Sequence, residues 1–224
     1  PVYDLIEGEV VQVDSSLRAT SENLFFPNFS LAFGWAYDWS DRLKTKFNAA
    51  RTFRVPNIAE LSANGVHHGT FRHEVGNPDN DAEIGYQFDA EVTWTDKRWS
   101  FQVSPFFNYF TNFIFLRPTA EFSTLPEAGQ LFVYEQAPAV HTGSEVAFNW
   151  LLTATQSVDL GAEYVYGFNL DENLPLPFMP PLSALARWKA EWHIHFLGSE
   201  DWNTEVRYRA TAPQNQVDRN ERST

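Results

Sequence analysis

From Phe29 to Trp39 the odd positions are all bulky and apolar or aromatic: Phe29, Leu31, Phe33, Trp35, Tyr37 and Trp39. Ser30, Ala32, Gly34, Ala36 and Asp38 fill the even ones. A period of two sends alternate side chains to opposite faces of an extended chain, so this stretch reads as a strand with one bulky apolar face. The same alternation returns over 84–95, where Ile84, Tyr86, Phe88, Val92 and Trp94 oppose Gln87, Asp89, Glu91 and Thr93. It returns again over 182–196, where Trp188, Trp192, Ile194 and Phe196 oppose Arg187, Lys189, Glu191, His193 and His195.

About eight such strands are expected, roughly at 29–39, 42–50, 84–95, 99–115, 139–152, 156–168, 182–197 and 202–212, with a partial strand before Ser15. No segment shows a convincing helical period, so the chain is all-β.

A soluble sandwich would alternate in the same way, with its apolar face turned to a core, so periodicity alone does not choose the solvent. Strand length bears on the choice: ordinary strands average about 5–6 residues, whereas a tilted transmembrane strand needs about 9–11. Most of these reach that length. The connections also alternate, short near Asp38–Asp41, Asp96–Arg98, Thr153–Gln156 and Gly198–Asp201, and long over 51–83, 116–138 and 169–181. All short turns then fall at one end of an up-and-down sheet, as in an outer-membrane barrel with periplasmic turns and extracellular loops. Trp39, Trp94, Trp99, Trp150 and Trp202 each sit beside a short turn. Indoles at a single height mark the boundary between hydrocarbon and water.

Composition removes several alternatives. With no cysteine among 224 residues there is no thiolate chemistry, disulfide framework or cysteine-held metal. A formal net charge of −13 argues against nucleic acid as a partner, since phosphate binding needs a basic surface. No apolar run approaches the length of a membrane-spanning helix, and the opening PVYDLIEGEV lacks the basic start and apolar core of a signal peptide. An open sheet in lipid would leave unpaired edge groups, so the strands either close on themselves or belong to a larger barrel.

Three stretches resemble the TonB-dependent outer-membrane receptors. RTFRVPNIAEL, then GVHHG and EVGNPDNDAE, is similar to the family's Arg-x-Phe-Arg-Ala-Pro … Glu-Leu … Gly-Asn-Pro-Asp-Leu-Lys-Pro-Glu run. Arg54, Pro56, Glu60, Leu61, Gly76, Asn77, Pro78 and Glu83 fall on its positions, while Val55 and Asn80, Asp81 and Ala82 depart from it. LPLPFMPPLSALARW, from Leu174 to Trp188, resembles the Pro-rich entrance to a late barrel strand, and Gly143 and Glu145 match a Gly-x-Glu strand. The resemblance implies an outer-membrane barrel of 22 strands around an N-terminal plug, energised by the TonB complex. Residues 1–224 then correspond to a barrel-domain segment without the plug and the closing strands, and they are not an enzyme.

His67, His68 and His73 lie in the first long loop. Imidazole binds zinc, copper and haem iron, so these three are the candidate ligand-binding and metal residues. The resemblance places such a loop where haem receptors carry a ligating histidine, and implies haem, zinc, copper or another iron complex such as a ferric siderophore as cargo, with no resident cofactor required. Histidine is equally an ordinary loop residue. His193 and His195 form a His-x-His pair without a third ligand at convincing spacing. With Glu145, Glu163, Glu205, Arg207 and Arg209 they read as the polar wall of a lumen. Gly-x-Ser-x-Gly and phosphate-loop signatures are absent.

The expected function is import of a scarce nutrient across a Gram-negative outer membrane. A passive porin or adhesion barrel and a soluble β-sheet binding protein or hydrolase are the alternatives.

Overall fold

The computed structural model describes residues 2–6, 9–13, 25–67, 69–196 and 199–221. An N-terminal hairpin pairs β1 (Val2–Ile6) with β2 (Glu9–Val13), where the sequence suggested a partial strand. Eight long antiparallel strands follow: β3 (Leu31–Asp38), β4 (Leu43–Arg54), β7 (Glu83–Thr95), β8 (Trp99–Phe122), β9 (Gln130–Leu151), β10 (Gln156–Asn169), β12 (Ser183–Phe196) and β13 (Ser199–Thr211). Each pairs with its neighbour in this order, so the sheet is an up-and-down meander with β3 and β13 at its two sides.

The register puts the two sets of the sequence pattern on opposite faces. Trp35 faces Phe47, Phe47 faces Ala90, Trp94 faces Phe101, Trp99 faces Trp150, and Trp192 faces Trp202. Leu31, Phe33, Trp35, Tyr37, Phe88, Trp94, Phe107, Trp150, Leu160, Val206 and Tyr208 are all exposed on that one face. A water-soluble sheet would bury such a band, whereas a bilayer is the solvent it matches. The tryptophans gather at the short-turn end. Two of their indoles, on Trp39 and Trp192, donate to the hydroxyls of Thr45 and Thr204 at 2.9 and 3.0 Å, so the polar edge of the ring is satisfied beside the apolar belt.

The other face carries the charges in pairs: Lys46 with Glu91 across β4 and β7 at 2.8 Å, Arg187 with Asp159 across β12 and β10 at 2.6 Å, and Arg207 with Glu205 along β13 at 2.6 Å. Opposite charges on adjacent strands stabilise a polar wall that faces water.

Two expectations need correction. The region 116–138 is not a long irregular loop: β8 and β9 continue as a hairpin to Phe122 and Gln130, with register shifts between Phe110 and Phe113 and between Pro118 and Phe122. Helix is also present, as the single turn α1 (Ile58–Ser62) in the first long connection. The same connection holds β5 (Asn64–His67) and β6 (Arg72–Val75). They form a small hairpin, and β6 lies parallel to β9 from Leu131 to Val133. In the third long connection, β11 (Leu174–Pro175) folds back onto β10. Leu176 then packs with Phe115, Ala137 and Ala139 in a small core at the long-loop end of the polar face.

Candidate functional site

At the long-loop end, the residues that carry the sequence motif form one hydrogen-bonded knot. Arg54 ends β4 directly opposite Glu83, the first residue of β7. Its Nη2 donates to Glu83 Oε2 at 3.1 Å and its Nη1 donates to both oxygens of Glu60, at 3.0 and 2.8 Å. Burial works against the charge on Arg54, but the hydrogen bonds to Glu60 and Glu83 outweigh it and raise its pKa. Pro56 is buried.

Glu60 has a second task. Asn57 caps α1 by accepting from Glu60 N at 2.9 Å, and Glu60 Oε2 accepts from Asn57 N at 2.8 Å, a reciprocal capping box. Glu60 O also accepts from Asn77 N at 2.8 Å, which ties the end of the connection to its start. Gly76 passes so close to α1 that a Cβ there would stand 2.6 Å from Ser62 N and 2.7 Å from Ala63 N, a space only glycine fits. Pro78 and Asp79 turn the chain outward, with Asp79 N donating to Asn77 Oδ1 at 3.0 Å. Arg54, Glu60, Gly76, Asn77 and Glu83 thus come together where the connection leaves and rejoins the sheet; Pro56 is buried at its start and Pro78 marks its exposed turn.

The three histidines are not gathered in the same way. His68 lies outside the described residues. His67 faces Arg72 across the β5–β6 hairpin and His73 faces Val66, so the two side chains point from opposite faces of that hairpin. His73 Nδ1 stands 2.7 Å from Ser123 Oγ and Nε2 3.2 Å from Asn64 Oδ1, whereas His67 Nδ1 contacts Thr70 Oγ1 at 3.3 Å. Among the described residues no three His, Cys, Asp or Glu side chains stand close enough to share a metal ion. His193 pairs with Asp201 at 2.8 Å near the short-turn end; the side chain of His195 lies outside the described residues.

Several residues here carry no motif. Arg72 lays its guanidinium over Phe132 and Phe178, 4.7 and 5.1 Å from their centroids. Tyr134 donates to Glu74 Oε2 at 3.3 Å, and burial together with that carboxylate pushes its phenol up to about 12. Arg117, with only 7% of its side chain exposed, meets Asp218 at 2.7 Å, Glu172 at 2.7 Å and Glu135 at 2.6 Å. It thereby joins the β8–β9 hairpin, the 170–182 connection and the chain after β13. Burial pushes the Glu135 carboxyl up, and the pull of Arg117 does not cancel it. The one available signal for Arg117 was its place as a lone charge in FNYFTNFIFLRP.

Further along the polar face, Glu145 and Glu163 stand opposite each other on β9 and β10. With Arg209, Pro180, Pro181 and Ser183 they line a cavity of about 340 Å³ that opens to the polar side.

The chain matches the family model described as TonB dependent receptor-like, beta-barrel, over residues 8–224. No curated protein matches it. Among solved structures, it is similar to the copper transporter OprC with a TM-score of 0.68 at 21% identity, covering 84% of this chain and 27% of that one. A mutant of the ferric enterobactin receptor PfeA of Pseudomonas aeruginosa gives 0.55 at 17% identity, with 73% and 25% covered. The siderophore receptor PirA of Acinetobacter baumannii gives 0.53 at 15% identity, with 73% and 26% covered. At these identities the likeness is one of fold, and the chain spans about a quarter of the length of these structures.

Proposed function

The chain belongs to the TonB-dependent receptor β-barrel family, and we propose on that premise that it forms part of the wall of an outer-membrane receptor that imports a scarce nutrient. The observation that carries this reading is the two-faced meander. Eight long strands present an exposed aromatic and aliphatic band on one side, ion-paired charges on the other, and indoles at the short-turn end. In this reading β3 and β13 pair with further strands toward a closed barrel of 22. A plug fills the polar lumen, and the TonB complex supplies the energy that moves it.

The cargo in this reading is an iron complex, siderophore or haem, or a transition metal such as copper or zinc. The named cargoes of the similar structures, copper and ferric enterobactin, support that range. The long-loop end faces outward, and the segment of sequence that carries His67, His68 and His73 contacts the cargo. Ligation of metal by these histidines requires the hairpin to rearrange, since His67 and His73 leave opposite faces of it.

Uptake by cells expressing the whole receptor tests the reading. Accumulation of radiolabelled iron complexes or copper should collapse when TonB is deleted or the inner membrane is uncoupled. Uptake or ion conductance that persists without energy would identify a passive porin instead, and a complete gene without a plug region would remove the premise.

A further inference from the structure

Three neighbouring strands present a row on the polar face: Asn108 of β8 opposite His141 of β9, and His141 opposite Gly167 of β10. Gly167 has no side chain, and the space above it is taken by Met179, the one methionine of the sequence. A Cβ on Gly167 would stand 1.9 Å from Met179 Sδ and 3.2 Å from His141 Cδ2, so sulfur and imidazole edge lie within about 5 Å of each other. Cδ2 is the carbon bonded to Nε2, and that nitrogen is buried without a hydrogen-bond partner. Asn108 Oδ1, in the same row, is buried and unpartnered too.

Two orphaned polar atoms in one place ask for a ligand, because a buried polar group without a partner destabilises the fold that holds it. A water there would have only these two polar partners, the fewest a buried water tolerates, within walls that are otherwise largely apolar. Phe110 and Phe113 meet the imidazole edge-on, at 5.3 and 4.7 Å between centroids, and fix its plane. The residues after Met179 are Pro180 and Pro181, whose rings stiffen the backbone that delivers the thioether.

An imidazole nitrogen and a thioether sulfur inside an aromatic wall suit a soft, weakly hydrated cation of low coordination number. Zinc prefers thiolate or carboxylate beside imidazole, and calcium and magnesium take oxygen alone. We propose that His141 Nε2 and Met179 Sδ, with the Asn108 carboxamide oxygen as a weaker third donor, bind monovalent copper on the lumen wall. Entry in this proposal is from the cavity lined by Pro180 and Pro181, the residues that follow Met179, where the carboxylates Glu145 and Glu163 outnumber the one cation, Arg209. The proposal deepens the import reading at a place separate from the histidine loop. A receptor that imports an iron complex under TonB control but binds no copper here would keep the import reading and lose this one.

The test uses the complete receptor purified in detergent, with copper(I) held reduced by ascorbate and titrated against a chromophoric chelator. Silver(I) serves as a probe that cannot change oxidation state. One equivalent of silver should slow peroxide oxidation of Met179 at least ten-fold, read by mass spectrometry of its peptide. X-ray absorption should show copper bonded to sulfur. Met179→Leu, which keeps the volume and removes the sulfur, should lose that signal and weaken copper(I) binding at least ten-fold. Unprotected Met179 in the wild-type receptor overturns the proposal, as does unchanged binding in a folded Met179→Leu receptor. The protection measurement decides alone if the variant does not fold.

Discussion

Arg54 and Glu83 are register partners at the ends of β4 and β7, and the guanidinium that bonds Glu83 at 3.1 Å also bonds Glu60 through both its oxygens. One cation therefore sets the distance between two strand ends and the helical turn in the connection between them. Both carboxylates are about 10% exposed as side chains, while Arg54 is 43% exposed. Position, more than net stabilisation, is what such a cluster provides, because desolvation offsets much of its attraction.

Removing the cation leaves two buried carboxylates unpaired. Arg54→Gln should cost about 2 kcal/mol, below the roughly 3–5 kcal/mol of a fully buried pair because Arg54 is partly solvated. Arg54→Lys, a point charge without the fork, should recover part of that loss. Heat- or urea-induced loss of the folded band in semi-native electrophoresis of the receptor would read both.

Two glycines of similar sequence appearance should respond differently to alanine. At Gly76 the added carbon meets backbone nitrogens of Ser62 and Ala63 at 2.6 and 2.7 Å, whereas at Gly161 its nearest neighbour is Val146 O at 3.8 Å. Gly76→Ala should cost about 1–3 kcal/mol and open the 55–82 connection to limited proteolysis. Gly161→Ala should leave both unchanged.

The strands were legible because lipid and water act on alternate residues, and that demand is written into the sequence as a period of two. The β8–β9 extension was not. Beyond the membrane belt Phe113, Ile114 and Phe115 are all half-buried or buried in succession, so burial on both faces erases the alternation. α1 is too short to show a helical period, although Asn57 and Glu60 stand at capping-box spacing in the sequence. The motif residues were found by resemblance, and their meaning as a knot required the fold. The partners of Arg117 stand 18, 55 and 101 positions away, distances at which no local pattern operates.

Adjacent residues of β7 should separate the two solvents. Phe88 is 44% exposed on the aromatic face, and Gln87 points to the polar one. Phe88→Arg should destabilise the receptor in bilayers by about 2–4 kcal/mol, the cost of a lipid-facing arginine near mid-depth. Gln87→Arg should cost less than about 1 kcal/mol, since that face is wet. Reversible unfolding in urea with lipid vesicles would measure the difference, and equal costs would contradict the assignment of faces.

Alkaline titration should single out Tyr134. Its phenol is pushed up to about 12 by burial and by Glu74, above the ordinary value of 10.0. The folded state therefore keeps a proton that the unfolded state gives up. Stability from this group is complete below pH 10 and is lost as pH rises from 10 toward 12. Glu74→Gln removes the charge and should let one tyrosine ionise earlier, seen as tyrosinate absorbance.

Arg117 gives the largest expected effect, because its side chain is 7% exposed and Asp218 beside it is fully buried. Arg117→Met keeps much of the stem and deletes the charge, leaving Asp218, Glu172 and Glu135 crowded without their cation. The loss should be about 3–5 kcal/mol at neutral pH. Hydrogen exchange should rise across residues 170–182 and 212–221 together, since this guanidinium holds both to the β8–β9 hairpin while Arg219 to Glu172 and Phe178 N to Glu221 link them to each other. The sign of the pH dependence follows from the carboxylates. Burial already pushes the Glu135 carboxyl up, and without Arg117 it loses the cation that opposes that shift, so over the carboxylate titration range the folded variant keeps a proton that the unfolded chain gives up. Its stability therefore falls as pH rises through that window, and the gap to wild type narrows on acidification. A gap that instead widened toward pH 4 would mean that Arg117 does not neutralise these three carboxylates.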